Sequence, residues 1–401
     1  MNSCDKEINN SEENIKIKTH FVGNTLPEIF IGRHNYPNIN AGILSSNFLS
    51  KDIEDFSMPE VWFKKKFSID QILSKRTKLV YGRFKTQISK IRSINKEIYP
   101  KNYLLKLIQE ISISYKPVSI EFFLKKPPAY KFYTDKNLPL IGNPAPLEFA
   151  RVEENLKVTP KIDNLINDKD CKANDSIKEL YYSGIKVSNI SRILSVGLLG
   201  LKTQRKLVPT RWSITAVDDL ISKDLLKKIR FYKEINDILV FSGESWGNHY
   251  EILLLPEKFS FEVIEAERKE SFLDKFKKIS IMHDYEFFYG RKDYAKEVSG
   301  AYYANRLALC EYLERIKRQA SAIFFREIRE EYHTPLGVGI LREICRDAFL
   351  KKPEKFSNIK EALENINSRL KTDVSIFTEN SVILKNYRKQ TRLNNWINNL
   401  S

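Results

Sequence analysis

Cysteine is scarce: four residues in 401, at Cys4, Cys171, Cys310 and Cys345, no two of them close in the chain. That spacing leaves no Cys-x-x-Cys pair and so no zinc ribbon or finger. Free buried thiols are the expected state. The five histidines, His20, His34, His249, His283 and His333, are equally scattered, with no His-x-His or His-Glu-x-x-His pattern. No Rossmann or P-loop fingerprint occurs. No apolar run has the length of a transmembrane helix. Residues 1–13 are polar and partly acidic, unlike a secretory signal. The expected compartment is the cytoplasm, with association to the nucleoid.

What is present is a basic excess. Sixty-seven lysines and arginines stand against 51 aspartates and glutamates, for a formal net charge of +16. That sign suits a polyanion, because neutralising phosphates releases condensed counterions; it also serves solubility. With 401 residues, 42% of them hydrophobic, the chain can bury a substantial core and is expected to form two domains.

The sharpest motif is in the last twelve residues, where Gln390, Leu393, Trp396 and Ile397 stand among asparagines. Residues three apart share one side of a helical turn, so Leu393 and Trp396 form one apolar knob beside Ile397, with Gln390 a turn earlier. A packed core helix would need apolar positions over several turns. The stretch resembles the PCNA-interacting peptide, which docks on the replication sliding clamp. Glutamine stands at the head, an aliphatic residue three later and an aromatic residue six later; Ile397 replaces a frequent second aromatic. The competing reading is a terminal helix tucked onto the protein's own surface. Exposure of chain termini favours the clamp. Lys385, Arg388, Lys389 and Arg392, with no acidic residue from 381 onward, would steer the tail toward an acidic patch or nearby DNA.

Upstream, alternating strand-like and helix-like stretches predict a mixed α/β protein with a flexible C-terminal tail. The expected organisation is a loose leader over 1–20, an N-terminal domain over 21–165, a C-terminal domain over 175–375 and a tail over 381–401. A strand at 29–31 opens into a glycine–proline loop through residue 42, where Arg33 can reach an anion or serve structurally. Ser68 and Gln71 form a capping box for a helix over 68–73. Arg76, Lys78 and Arg83 flank a strand-like run and suit either backbone phosphates or a solvated face. A second glycine–proline loop is expected at 140–146.

Residues 205–219 are the densest segment, with Arg205 and Arg211 ahead of Asp218 and Asp219. The two carboxylates can receive arginines, hold a divalent ion, or cap a helix starting at Leu220. Glu244 and His249 fall in an expected loop over 242–250. The clearest helix, 300–319, carries Arg306, Arg315, Lys317 and Arg318 on a predicted basic face. A loop over 333–339 leads into a helix over 341–349 that holds Arg342 and Glu343.

Taken together, residues 27–42, 205–219, 300–319 and 335–346 and the terminal motif resemble the archaeal Nre DNA-repair family, which has N- and C-terminal Nre domains and a clamp-binding terminal peptide. The resemblance implies repair or tolerance of DNA damage in complex with PCNA. Many members look to carry a cysteine-rich zinc finger near the N-terminus; here Cys4 stands alone in that region, so no zinc site is expected.

Three functions remain open from the residues. The first is a repair factor recruited by PCNA that contacts DNA through Arg33, Arg76, Lys78, Arg83, Arg205, Arg211, Arg315, Arg318 and Arg342. The second is a DNA-processing enzyme, a nuclease or lesion-processing activity, using a divalent metal and drawn from Asp218, Asp219, Glu244, His249 and Glu343. The third is a nucleotide or ADP-ribose-type ligand domain on the two glycine–proline loops. No cofactor is expected outside the enzymatic reading.

Overall fold

Short runs of β-branched and aromatic residues closed by turns build the first half. A computed structural model describes residues 18–93, 102–130, 133–269 and 278–387. The strands are β1 (His20–Thr25), β2 (Glu28–Ile31), β3 (Asn38–Ser46), β4 (Leu79–Gln87), β5 (Val118–Leu124), the hairpin β6 (Tyr133–Asp135) and β7 (Leu138–Ile141), and β8 (Asn143–Val152). Six of them form an open sheet in the order β1-β5-β8-β4-β3-β2, with β4 and β8 parallel. Three helices accompany it: α1 (Pro59–Lys65), α2 (Ile69–Arg76) and α3 (Tyr103–Ser112). The capping box is present: Gln71 N donates to Ser68 Oγ at 3.2 Å and Ser68 N to Gln71 Oε1 at 2.8 Å. The loop expected at 140–146 is instead the join between β7 and β8. A side chain at Gly142 would lie 2.3 Å from the Leu79 carbonyl oxygen, so glycine lets the join press against β4.

Four helices follow: α4 (Pro160–Asn167), α5 (Ala173–Tyr182), α6 (Val187–Ser195) and α7 (Thr210–Ile229). The helix expected to start at Leu220 starts ten residues earlier, at Thr210. Pro209 precedes it, with a fixed φ and no N–H to satisfy. Asp218 and Asp219 therefore sit mid-helix and cap nothing.

The second half holds β9 (Ile238–Ser245), β10 (Asn248–Leu255), β11 (Ser260–Lys269), β12 (Lys278–Glu286), α8 (Gly300–Ile316), β13 (Ser321–Ile328), α9 (Val338–Ala348), β14 (Glu354–Phe356), α10 (Ile359–Asn367), α11 (Val374–Asn380) and α12 (Val382–Tyr387). Its open sheet runs β12-β11-β13-β10-β9-β14, with β11 and β13 parallel. The loop expected over 242–250 is a tight hairpin. Trp246 and Gly247 both take positive φ, 51° and 68°, the turn that matches the twist of an antiparallel pair. Glu244 and His249 thus stand opposite each other on strands.

One face of this sheet shares the largest core with α1, α2 and α4 to α9, and the other packs on α10 to α12. Covered on both faces, β10 is buried at every position. Helix α8 is buried at 13 of its 17 residues. Arg306, expected on a basic outer face, is only 1% exposed, because neighbours surround its helix. Among the described residues no helix is long and apolar enough to cross a membrane.

A polar ladder ties the sheet to the C-terminal helices. The buried Glu251 carboxylate accepts from Arg369 Nε and Nη2 at 2.9 and 2.7 Å and from Ser242 Oγ at 2.8 Å, and pairs with His249 Nε2 at 2.8 Å. Burial alone would raise its pKa, but the His249 and Arg369 contacts outweigh that and hold it below the usual 4.5. A depressed carboxyl stabilises above its unfolded pKa, and the contribution is lost as pH falls through the folded value. Glu251→Gln should therefore lower stability at neutral pH by about 1–3 kcal/mol and flatten the decline below pH 4.5. Thermal melts across an acid series measure both effects; an unchanged acid limb would refute the assignment.

Candidate nucleic-acid interface

The two halves meet around one small carboxylate. Asp135 lies at the tip of the β6–β7 hairpin and is buried. It accepts from Arg211 Nη1 at 3.2 and 3.1 Å, and Arg33 Nη2 approaches it to 3.5 Å. Asn137, with its amide oxygen turned toward Arg211, accepts from Nη2 and Nε at 3.1 and 3.0 Å. Arg211 is thereby fixed at the first turn of α7. Thr210 beside it accepts from the Ile31 amide at 2.9 Å, which anchors the end of β2, and so Arg33, to the same helix start.

Arg33 and Arg211 border three adjoining recesses of about 310, 590 and 480 Å³. The first lies between the β2–β3 turn and β4 and includes the exposed Arg83. It is walled by Gly32 and by Gly142 and Pro144, so the two glycine–proline segments do face one opening. The second is of mixed charge, with Lys136, Lys296 and Arg326 against Glu265, Glu267 and Glu297. The third holds Trp212, Tyr294 and Tyr303. Trp212 is 42% exposed and packs on Tyr36, 43% exposed, with ring centroids 5.3 Å apart. Positive charge beside accessible rings is the usual composition of a surface that grips a strand and stacks its bases.

The other basic candidates lie elsewhere. Arg76 is buried and donates to Glu28 at 2.9 and 2.8 Å. Arg342 is buried and donates to Asp218 at 2.5 Å. Arg205 binds the carbonyls of Gly200, Ile166 and Asp168, and Arg315 that of Phe349. Arg318 is half-buried at the end of α8, and Lys78 is exposed just before β4.

The five acid–base candidates are dispersed over separate ion pairs. Consecutive helix residues point about 100° apart, so Asp218 and Asp219 face different neighbours. Asp218 is buried against Arg342, and burial pushes its carboxyl up despite that partner. Asp219 lies on the third recess, bound to Arg306 and, at 2.8 Å, to Lys223. His249 bridges Glu244 and Glu251 at 3.0 and 2.8 Å on the far sheet. Glu343 pairs with Arg346 at 2.8 Å, and burial raises its pKa. Among the described residues no group of three or more His, Cys, Asp or Glu is placed to hold a metal ion. The residues missed from sequence are Asp135, Asn137 and Tyr36. A turn-forming Asp-Lys-Asn tip between strands was the available signal for the first two.

A model described as archaeal Nre, N-terminal, matches residues 4–274, and one described as archaeal Nre, C-terminal, matches residues 286–396. The chain belongs to the archaeal Nre family. It is 32% identical over 377 residues to the DNA repair protein NreB of Archaeoglobus fulgidus, covering 94% of this chain and 92% of that one. It is 34% identical over 356 residues to that organism's DNA repair protein NreA, covering 89% and 87%. The DNA repair protein NreA of Haloferax volcanii is 31% identical over 352 residues, covering 87% and 82%. No solved structure matches this Nre chain.

Arg211→Ala leaves the buried Asp135 facing Arg33 alone among these arginines and should cost about 1–3 kcal/mol. Arg33→Ala, at an exposed side chain, should stay within about 0.5 kcal/mol of the parent. Urea denaturation of the two variants checks the asymmetry.

Proposed function

We propose that this Nre protein is a DNA-damage repair or tolerance factor that grips DNA along Arg33, Arg83 and Arg211. Its C-terminal peptide, Gln390, Leu393, Trp396 and Ile397, recruits it to the PCNA sliding clamp. The observation that carries the DNA contact is the meeting of three arginines distant in sequence on one opening, beside exposed Trp212 and Tyr36. The net charge of +16 favours a polyanion in that opening. Relatives that share most of their length with this chain carry the name DNA repair protein.

The recruiting peptide lies at 390–397, outside the described residues. Its support is the spacing of the glutamine, the aliphatic and the aromatic residue, and a family match that continues through Trp396. The body then acts at sites the clamp selects. No observation favours metal-dependent turnover over this reading, since Asp218, Glu244, His249 and Glu343 belong to ion pairs away from the cleft and Asp219 is held by Arg306 and Lys223.

Two measurements test the two parts. Fluorescence anisotropy across a salt series should show tight binding of single strands, with the slope of log affinity against log salt reduced by about 1 for each of Arg33→Ala and Arg83→Ala. Parental slopes in both variants would remove the cleft from the reading. Calorimetry with PCNA should show a loss of about 2 kcal/mol or more on Leu393→Ala with Trp396→Ala, with DNA affinity unchanged. Parental clamp affinity in that double variant would end the recruitment proposal.

A further inference from the structure

The far end of α7 carries a second meeting of rings and cations. Residues 227–233 read Lys-Lys-Ile-Arg-Phe-Tyr-Lys, and residues 287–292 read Phe-Phe-Tyr-Gly-Arg-Lys. Together the two stretches hold six cations and no carboxylate. The fold brings them into contact. The Arg230 guanidinium lies over the Phe288 ring at 5.6 Å, and Lys258 Nζ lies over the same ring at 5.7 Å. A side chain at Gly290 would come within 3.5 Å of Arg230 Nη2. Glu234, Glu257 and Asp293 adjoin these residues and leave the cations in excess.

Two rings of this surface stand in water. Phe231 is 90% exposed and Tyr289 92%, more than any other large hydrophobic side chain among the described residues. Apolar groups gain by leaving water, and exposed ones gathered on one surface mark an interaction site. Lys227 pairs with Asp224 at 3.2 Å and Arg291 with Asp284 at 2.8 Å. Lys233, Lys258 and Lys292 are exposed.

The surface lies at the opposite end of α7 from Arg211. Twenty residues make about 30 Å at 1.5 Å each. The chain after Tyr289 leads back toward the cleft. Arg291 is tied to Asp284, and Tyr294, 51% exposed, lines the third recess with Tyr303 and Asp219. Accessible rings thus stand at the start of the helix in Trp212, beside its middle in Tyr294 and at its end in Phe231 and Tyr289.

Lysine indicates the class of partner. The core of a protein–protein interface is poor in lysine. A surface that tracks a phosphate backbone needs cations, and rings among them receive unpaired bases. We propose that Phe231, Tyr289, Lys233, Lys258 and Lys292 form a second contact surface for single-stranded nucleic acid. Bases stack on the two rings, and the lysines meet the phosphates. The surface stands on its own residues; that one strand runs from it along α7 to Arg211 rests on the cleft reading.

Anisotropy with the full-length protein tests the surface on two strands. One is an oligothymidylate of about twenty nucleotides, which exceeds 30 Å even when stacked at about 3.4 Å per nucleotide. The other is an abasic strand of equal length and charge. Phe231→Ala with Tyr289→Ala should weaken the oligothymidylate about tenfold or more. The salt slope and the abasic affinity should stay parental in that variant. Lys233→Ala with Lys292→Ala should weaken both strands and lower the slope by about 1 per lysine. All four side chains are exposed, where the fold tolerates substitution. Parental oligothymidylate affinity in the ring variant overturns the proposal. Equal loss on both strands overturns the stacking. Loss of binding to vesicles of anionic lipid, with strand affinity kept, assigns the surface to a membrane and also overturns it. Arg33→Ala reads the cleft separately. Loss there with a parental ring variant ends this proposal alone, and the reverse result ends the cleft reading and keeps this surface.

Discussion

A guanidinium inside a helix surrounded by its neighbours has to be neutralised from those neighbours, and Arg306 places that demand on the second half of the chain. Its Nη1 donates to both oxygens of Glu286 at 3.1 and 3.0 Å, its Nε to Ser222 at 3.1 Å, and its Nη2 to Asp219. Burial alone would lower its pKa, but the Glu286 and Asp219 carboxylates outweigh that and keep it charged. A buried charge stripped of a partner is strongly destabilising, by about 3–5 kcal/mol. The contacts come from α7 and β12, so these two elements and α8 are held in one relative placement.

Helix α7 carries that placement to the cleft. Its first turn presents Arg211 to Asp135 and Asn137, its middle turns present Asp218 to Arg342 and Asp219 to Arg306, and its last turns pack Leu225, Leu226 and Ile229 into the main core. Each face of one rod thus meets a different part of the molecule. The surface arginine is as well positioned as the core, because both ride on the same twenty-residue element. Arg33 is held less directly, through the Ile31 amide on Thr210, and remains on an exposed turn.

Much of this was legible from local pattern. The capping box at Ser68, the strand at 29–31 and the mixed α/β class follow from spacing and turn residues that act over a few positions. The resemblance to the Nre family likewise rested on segments readable one at a time. What was not legible depends on neighbours distant in the chain. The charge of Arg306 reads as a solvent face until the helices and sheet around α8 are known. Asp218 and Asp219 read as a pair because they are adjacent in sequence, whereas a helix turns them onto different partners. Glu244 and His249 read as loop residues because their polarity hides a two-residue turn with both φ values positive. At the cleft, Arg33, Arg83 and Arg211 were each visible as cations. The meeting of Arg33 with Arg211 depends on Asp135, whose local signal is a turn-forming Asp-Lys-Asn run that says nothing of its distant partners.

The two family models meet between residues 274 and 286, yet among the described residues one sheet joins strands from both sides of that boundary. Strands β9, β10 and β11 fall in the first matched stretch, and β13 and β14 in the second. Within the sheet β13 lies between β10 and β11 and pairs with both. A chain divided at that point would leave two strands with open edges along a strongly apolar surface, which is a template for joining other chains. The named regions are interleaved portions of one architecture. Exchange of one region between family members would therefore succeed only where the donor's β13 keeps both its register and its packing, which makes this boundary a poor place for recombination.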